Sequence, residues 1–282
     1  MDALVSSEWL AAETGASDLR IVDASCHLAE SGRDAAAEYR AAHIPGAVFM
    51  DLAGLVDPRA AVENTAPPAT LFASRMQALG LGDGSRIVLY DDSAIRSAAR
   101  AWFLLRMFGA RDVAILDGGL GKWRAEQRPL EAGTVALRAR HFTAWESPGA
   151  LRGKAEVLAN LASGREQIVD ARSPARFSGA QPDPRPGVAA GHIPGARNLH
   201  YARLFQADGS YRPTAEIPGI FAAAGVDLNR PLITSCGSGM TACVLAFALA
   251  LVGKLDVTLY DGSWSEWGAD PATPKVCNTV PA

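Results

Sequence analysis

The sequence predicts an α/β protein of two tandem domains, each a mainly parallel sheet with helices on both faces. Three observations predict it. Landmarks of the first half return in order in the second. β-rich apolar runs lack the alternation of a half-exposed strand. Helical patterns lie between those runs.

The repeat is read from four pairs of segments. Ile21-Val22-Asp23-Ala24-Ser25 returns as Ile168-Val169-Asp170-Ala171-Arg172, and His43-Ile44-Pro45-Gly46-Ala47 as His192-Ile193-Pro194-Gly195-Ala196. Ile87 to Asp91 matches Leu232 to Cys236, and Leu116 to Gly119 matches Tyr260 to Ser263. The offsets stay between 144 and 149, so loop insertions and deletions account for the drift. A period this long means two globular domains and not a solenoid. The predicted division is residues 1–138, a link at 139–150 punctuated by Pro148-Gly149, and residues 151–282.

Within the first half, Arg20 to Ala24, Arg86 to Tyr90 and Val113 to Leu116 read as strands buried on both faces. Ala94 to Phe108 reads as a helix that ends at Gly109. In the second half Pro231 to Thr234 is a strand. The apolar stretch Met240 to Val252 is too short for a bilayer, which needs about 20 apolar residues, and reads as a buried helix.

Composition excludes several function classes. The 282 residues carry a net charge of −3 without a basic tract, which argues against nucleic acid as a partner. Met1 to Leu10 lacks the pattern of a signal peptide. The four cysteines, Cys26, Cys236, Cys243 and Cys277, form no Cys-x-x-Cys pair, so no metal site is expected. Four cysteines in a chain this long, without a signal peptide, suggest a reducing, cytoplasmic location, and the shortness of the apolar stretches argues against the membrane.

The chemistry concentrates in Ser235-Cys236-Gly237-Ser238-Gly239-Met240-Thr241-Ala242-Cys243. Cys236 falls at the carboxyl end of a buried strand, just before a helix, where open α/β sheets bind ligands. Gly237 and Gly239 let the loop curl its N–H groups inward, and Gly237 is expected to need a positive φ. Such a nest and a helix N-terminus both favour a thiolate, the nucleophilic form. The residues alone leave two readings, a nucleophile or a buried structural thiol in a turn. The repeat favours the nucleophile, because the first half has Asp91 at that point. Cys243 lies seven residues on and reads as core; Cys26 and Cys277 receive no role.

Taken together, the paired His-Ile-Pro-Gly segments and the Cys-Gly-Ser-Gly-Met-Thr loop resemble the tandem rhodanese-domain sulfurtransferases over nearly the whole chain. The loop is similar to that of the 3-mercaptopyruvate sulfurtransferases, Cys-Gly-Ser/Gly-Gly-Val-Thr, with Met240 in place of Val. Thiosulfate sulfurtransferases carry Cys-Arg-Lys-Gly there, and Gly237 and Ser238 supply no such cations. Rhodanese-like phosphatases need an Arg six positions after the nucleophile, where this chain has Ala242.

The resemblance implies ping-pong sulfur transfer from 3-mercaptopyruvate through a Cys236 persulfide. Pyruvate is released, and the sulfur passes to a thiol, cyanide or a thioredoxin-like acceptor without metal or organic cofactor. It implies a donor clamp of two arginines nine positions apart, matched by Arg176 and Arg185, with Gly237, Gly239, Met240 and Thr241 lining the site. It also implies a triad of Asp34, His43 and Ser238 for proton movement. Other readings stay open: Arg176 and Arg185 as surface residues, and His43 as a turn residue, since His192 has the same setting. A thiosulfate sulfurtransferase and a non-catalytic sulfide-carrier or docking module remain the alternatives. Arg172 reads as a structural ion-pair partner of the preceding Asp.

Overall fold

The computed structural model describes residues 1–136 and 138–278. They divide into two compact units. The first comprises Met1–Pro58, Ala66–Ser147 and Phe205–Tyr211; the second comprises Arg59–Thr65, Pro148–Leu204 and Arg212–Ala282. Between the two halves the unit changes after Ser147. Each unit also takes a short segment from the other half of the chain, which the repeat alone does not indicate.

In chain order the first unit runs β1 (Leu4–Val5), α1 (Ser7–Glu13), β2 (Leu19–Asp23), α2 (Ala35–Ala41), β3 (Val48–Phe49), α3 (Ala69–Ala78), β4 (Arg86–Tyr90), α4 (Ala98–Met107), β5 (Val113–Leu116) and α5 (Gly119–Ala125). The second runs β6 (Leu151–Arg152), α6 (Lys154–Ser163), β7 (Gln167–Asp170), α7 (Pro174–Ser178), β8 (Arg197–Asn198), α8 (Ile217–Ala223), β9 (Leu232–Ser235), α9 (Ala242–Leu251), β10 (Val257–Tyr260) and α10 (Ser263–Trp267).

The two sheets have the same order, β1-β5-β4-β2-β3 and β6-β10-β9-β7-β8, and every paired strand is parallel. Successive side chains of a strand point to opposite faces. Val88 and Tyr90 of β4 therefore share one face, where they pack with Leu10 of α1 and Trp123 of α5. The opposite face takes α4, which is buried almost throughout. In the second unit Ile168, Ile233 and Tyr260 pack against Val157 of α6 and Trp264 and Trp267 of α10. Helix α9 is buried at every position from Ala242 to Leu249, as an all-apolar helix must be. Among the described residues no helix is long and apolar enough to cross a membrane.

The four expected strands are present with shifts of one residue or none, while the two-residue strands at the sheet edges are too short to leave a sequence pattern. Helix α4 starts at Ala98 and not at Ala94. Residues before it turn back, with Arg96 at φ 55° and its N–H on the Ser93 carbonyl.

The repeat also conceals a displacement. The N-cap of α2, Asp34, follows the end of β2 by eleven positions, whereas the N-cap of α7, Ser173, follows the end of β7 by three. Conversely, His43 follows Tyr39 by four positions, and His192 follows Phe177 by fifteen. The second unit thus has a long segment between helix and His-Ile-Pro-Gly, and that segment carries Asp183 and Arg185.

Candidate active site

Strand β9 delivers Cys236 to the carboxyl end of the second sheet, and α9 begins six residues later. Cys236 is 1 % exposed. The loop between them is held from outside by Ser263, whose Oγ accepts the N–H groups of Cys236 at 3.1 Å and Gly239 at 3.2 Å while donating to the Tyr260 carbonyl at 2.8 Å. The loop carbonyls are anchored too. Trp264 N–H donates to the Cys236 carbonyl at 3.0 Å and Ser265 N–H to that of Gly237 at 2.8 Å. Ser263 itself sits at φ 48°, a left-handed conformation that costs a side-chain residue about 1–3 kcal/mol and persists where its surroundings demand it. Its hydroxyl, closing two loop amides, is that demand.

Gly239 takes a positive φ of 78°, and Gly237 does not, correcting the expectation for Gly237. What constrains Gly237 is its neighbours. A Cβ there would lie 3.3 Å from Arg176 Nη2 and 3.5 Å from Arg185 Nη1. The structure thus brings both arginines to the residue after Cys236, and the cysteine loop has guanidinium groups at its side although it carries none itself.

Asp183 brings the two arginines together. Its side chain is 1 % exposed and accepts from Arg176 Nη2 at 2.6 Å, from Arg185 Nη1 at 3.1 Å and from the Arg185 N–H at 3.1 Å. Burial alone would raise its pKa, but these donors outweigh it and hold the carboxyl below the usual range. Arg176 reaches protein acceptors only through Nη2, and its Nε is buried with no acceptor among the described residues. Glu63 completes the group, its Oε1 accepting from Arg185 Nε, and next to it Asn64 Nδ2 donates to Ser238 Oγ at 3.0 Å. Met240 is buried and Thr241 is the N-cap of α9.

The remaining candidates take structural places. Asp34 caps α2, its Oδ1 accepting the Ala37 N–H at 3.0 Å. His43 is 1 % exposed and stacked on Tyr39; its Nδ1–H donates to the Tyr39 carbonyl at 2.8 Å and its Nε2 faces Glu131 Oε1 at 3.2 Å. The structure does not join Asp34 to His43. His192 repeats the pattern, stacked on Phe177 with Nδ1 on the Phe177 carbonyl at 2.8 Å. Arg172 is a buried ion-pair partner of Asp170 at 2.7 Å and lies over Trp264. Cys243 donates its thiol to the Gly239 carbonyl at 3.2 Å within the core.

The equivalent loop of the first unit is closed on itself. Asp91 accepts from Ser93 N–H at 2.9 Å and Ser93 Oγ at 3.0 Å through Oδ1, and from Ala98 N–H at 2.8 Å through Oδ2. Burial pushes this carboxyl's pKa up against those donors. Gly119 occupies the place of Ser263, and a Cβ there would meet the Asp91 carbonyl at 2.5 Å.

Asp183, Glu63, Asn64 and Ser263 are not legible in the sequence as site residues. For Ser263 one signal exists, the Gly119/Ser263 mismatch between otherwise matched turns. For Asp183 the signal is its place two residues before Arg185.

Fold and site together define a duplicated parallel-sheet protein with one buried thiol loop and one loop whose thiol position is a carboxylate. The chain belongs to the rhodanese-like domain family, which matches residues 6–126 and 154–270. It is 39 % identical over 271 residues to the mouse (Mus musculus) 3-mercaptopyruvate sulfurtransferase, covering 94 % of this chain and 91 % of the relative. With the Escherichia coli K12 3-mercaptopyruvate sulfurtransferase the identity is 40 %, covering 96 % of each. The bovine (Bos taurus) thiosulfate sulfurtransferase is 38 % identical, with 94 % and 91 % covered. Among solved structures, SseA from Escherichia coli, a 3-mercaptopyruvate sulfurtransferase, superposes with a TM-score of 0.86 at 38 % identity, over 94 % of this chain and all of that one.

Proposed function

We propose that this chain is a sulfurtransferase that takes sulfur from 3-mercaptopyruvate onto Cys236 and passes it to a thiol acceptor. The observation that carries the reading is the pair of guanidinium groups, braced on Asp183, beside Gly237. Mercaptopyruvate offers a carboxylate and a ketone oxygen, and planar guanidinium forks suit both. Relatives with either donor in their names are about equally similar, so overall identity does not select the donor, and the reading rests on the two arginines and on a loop without charge of its own.

In the reaction the Cys236 thiolate attacks the donor sulfur, forming an S–S bond as the C–S bond breaks. The electron pair leaves with the three-carbon fragment as the enolate of pyruvate, which then takes a proton. Arg176 and Arg185 hold the fragment's oxygens while negative charge develops on it. In this reading the persulfide is stabilised by the loop amides of Gly237, Ser238, Met240 and Thr241 together with the N-terminus of α9. Gly239 contributes through its φ, its own N–H being on Ser263. Ser238 accepts from Asn64, which leaves its hydroxyl hydrogen for the departing fragment. Asp34 and His43 are read as fold residues, since Asp34 caps α2 and His43 is held by the Tyr39 carbonyl and Glu131. The outer sulfur then leaves for an acceptor thiolate, cyanide or a thioredoxin-like dithiol.

Initial rates with each donor test this. We expect kcat/KM for mercaptopyruvate to exceed that for thiosulfate by more than about tenfold, with one pyruvate released per sulfur transferred. Equal or greater use of thiosulfate would instead support the thiosulfate sulfurtransferase reading.

A further inference from the structure

The charges around the clamp do not add up to a simple anion trap. Arg176 and Arg185 bring two positive charges, and buried Asp183, bonded to both, takes one away. Glu63, paired with Arg185 Nε, takes away the other. The two carboxylates differ in kind. Asp183 is 1 % exposed and fixed by three donors, so it cannot leave. Glu63 is 50 % exposed, has only Arg185 for a partner among the described residues, and can rotate into water at little cost. It sits at the tip of a turn closed by Thr65 Oγ1 on the Val62 carbonyl at 2.8 Å and fastened to the loop by Asn64 on Ser238 at 3.0 Å. The turn thus holds a carboxylate where the clamp would receive the carboxylate of a donor.

We propose that Glu63 is a displaceable counter-ion of the clamp, and that with Asp183 it selects donors bearing a single negative charge. This rests on the clamp reading above. With Glu63 rotated away, two arginines and Asp183 leave one positive charge, which a monoanionic donor neutralises. A dianion overshoots by one charge. Glu63, still tethered at the rim, repels each charge on the donor, and Coulomb energy grows in proportion to that charge.

Removing Glu63 therefore has a signature. In Glu63→Gln, KM for mercaptopyruvate should fall about fivefold or less, the size expected of one half-exposed pair. The gain in kcat/KM for thiosulfate should be roughly the square of the gain for mercaptopyruvate, because the charge is doubled. Glu63→Asp should behave like the parent protein, and raising ionic strength should shrink the difference between donors. Thermal unfolding of each variant separates these effects from a loss of fold. A rise in KM for both donors would mean that Glu63 only orients Arg185, and unchanged kinetics, or equal gains for both donors, would mean that it selects no donor charge; each overturns the proposal. Arg185→Ala separates the two levels. If it leaves KM for mercaptopyruvate unchanged, the clamp reading itself fails. If it raises KM while Glu63→Gln shows no charge-dependent gain, only the role of Glu63 fails.

Discussion

After β4 the chain folds the Asp91 carboxylate back onto its own loop, onto the N–H groups of Ser93 and Ala98. After β9 the corresponding loop is braced from outside, by Ser263 on the amides of Cys236 and Gly239. The surrounding scaffold is alike. Leu120 N–H reaches the Asp91 carbonyl at 3.1 Å just as Trp264 N–H reaches that of Cys236 at 3.0 Å. One loop therefore turns its own carboxyl onto the head of α4, while the other presents a thiol before α9. The difference lies in where the loop's hydrogen bonds are satisfied, and a single brace, Ser263 in place of Gly119, accompanies it.

The largest effect should follow from moving the thiol. Cys236→Ser is expected to abolish sulfur transfer while the unfolding temperature holds, since the backbone braces do not use the thiol. Adding Asp91→Cys to that variant should restore nothing measurable, because the first loop has no counterpart of the segment that carries Asp183 and Arg185. Recovered turnover would show that the loops are interchangeable and the comparison empty.

Next come the arginines. Arg176→Ala and Arg185→Ala should each raise KM for the donor, with kcat less affected. Each loses a charge-assisted hydrogen bond worth about 1.5–3 kcal/mol, or about one to two powers of ten. Steady-state kinetics showing no change in either variant would return both residues to the surface.

The brace should matter less. Ser263→Ala strips one acceptor from two loop amides, and at about 1 kcal/mol for each bond the variant should be about 1–2 kcal/mol less stable, with kcat lowered about tenfold. Urea unfolding and kcat measured together check this; a stable variant with full activity would remove Ser263 from the account.

Smallest is the effect of pH on the clamp. Asp183 has a folded pKa below its ordinary 3.8, so it is ionised at neutral pH and its contribution is fully present there. That contribution is lost only as pH falls through the lowered value. Between pH 5 and 8 the donor KM should therefore show no titration from this group, whereas Asp183→Asn should lose stability throughout that range. Stability curves of the two proteins that converge already at pH 5 would contradict it.

Much of the fold and the centre of the site are legible in the sequence, for physical reasons. Strands buried on both faces leave unbroken apolar runs, so Arg86 to Tyr90 and Val113 to Leu116 can be placed to the residue. Cys236 stands out because a strand end, two glycines and an apolar helix meet there. The pairing of Arg172 with Asp170 is local, two positions apart, and local contacts show in sequence. Contacts that depend on a distant segment do not. Glu63 and Asn64 lie more than a hundred residues from Arg185 and Ser238, and nothing nearby marks them. The start of α4 escapes the helical pattern because Asp91, seven residues upstream, accepts the Ala98 N–H and fixes the helix start there. The near-constant repeat offsets hide the displaced helix, because a longer loop before α2 nearly cancels a longer loop after α7. That cancellation also conceals that the clamp rides on a segment the first unit lacks.

The most direct test is to locate the sulfur. Native protein incubated with mercaptopyruvate, quenched by thiol alkylation and mapped by peptide mass spectrometry, should carry one additional sulfur atom on the peptide containing Cys236. Peptides containing Cys26, Cys243 and Cys277 should carry none. An additional sulfur on any of those three, or its absence from Cys236 while pyruvate is being released, would contradict the account.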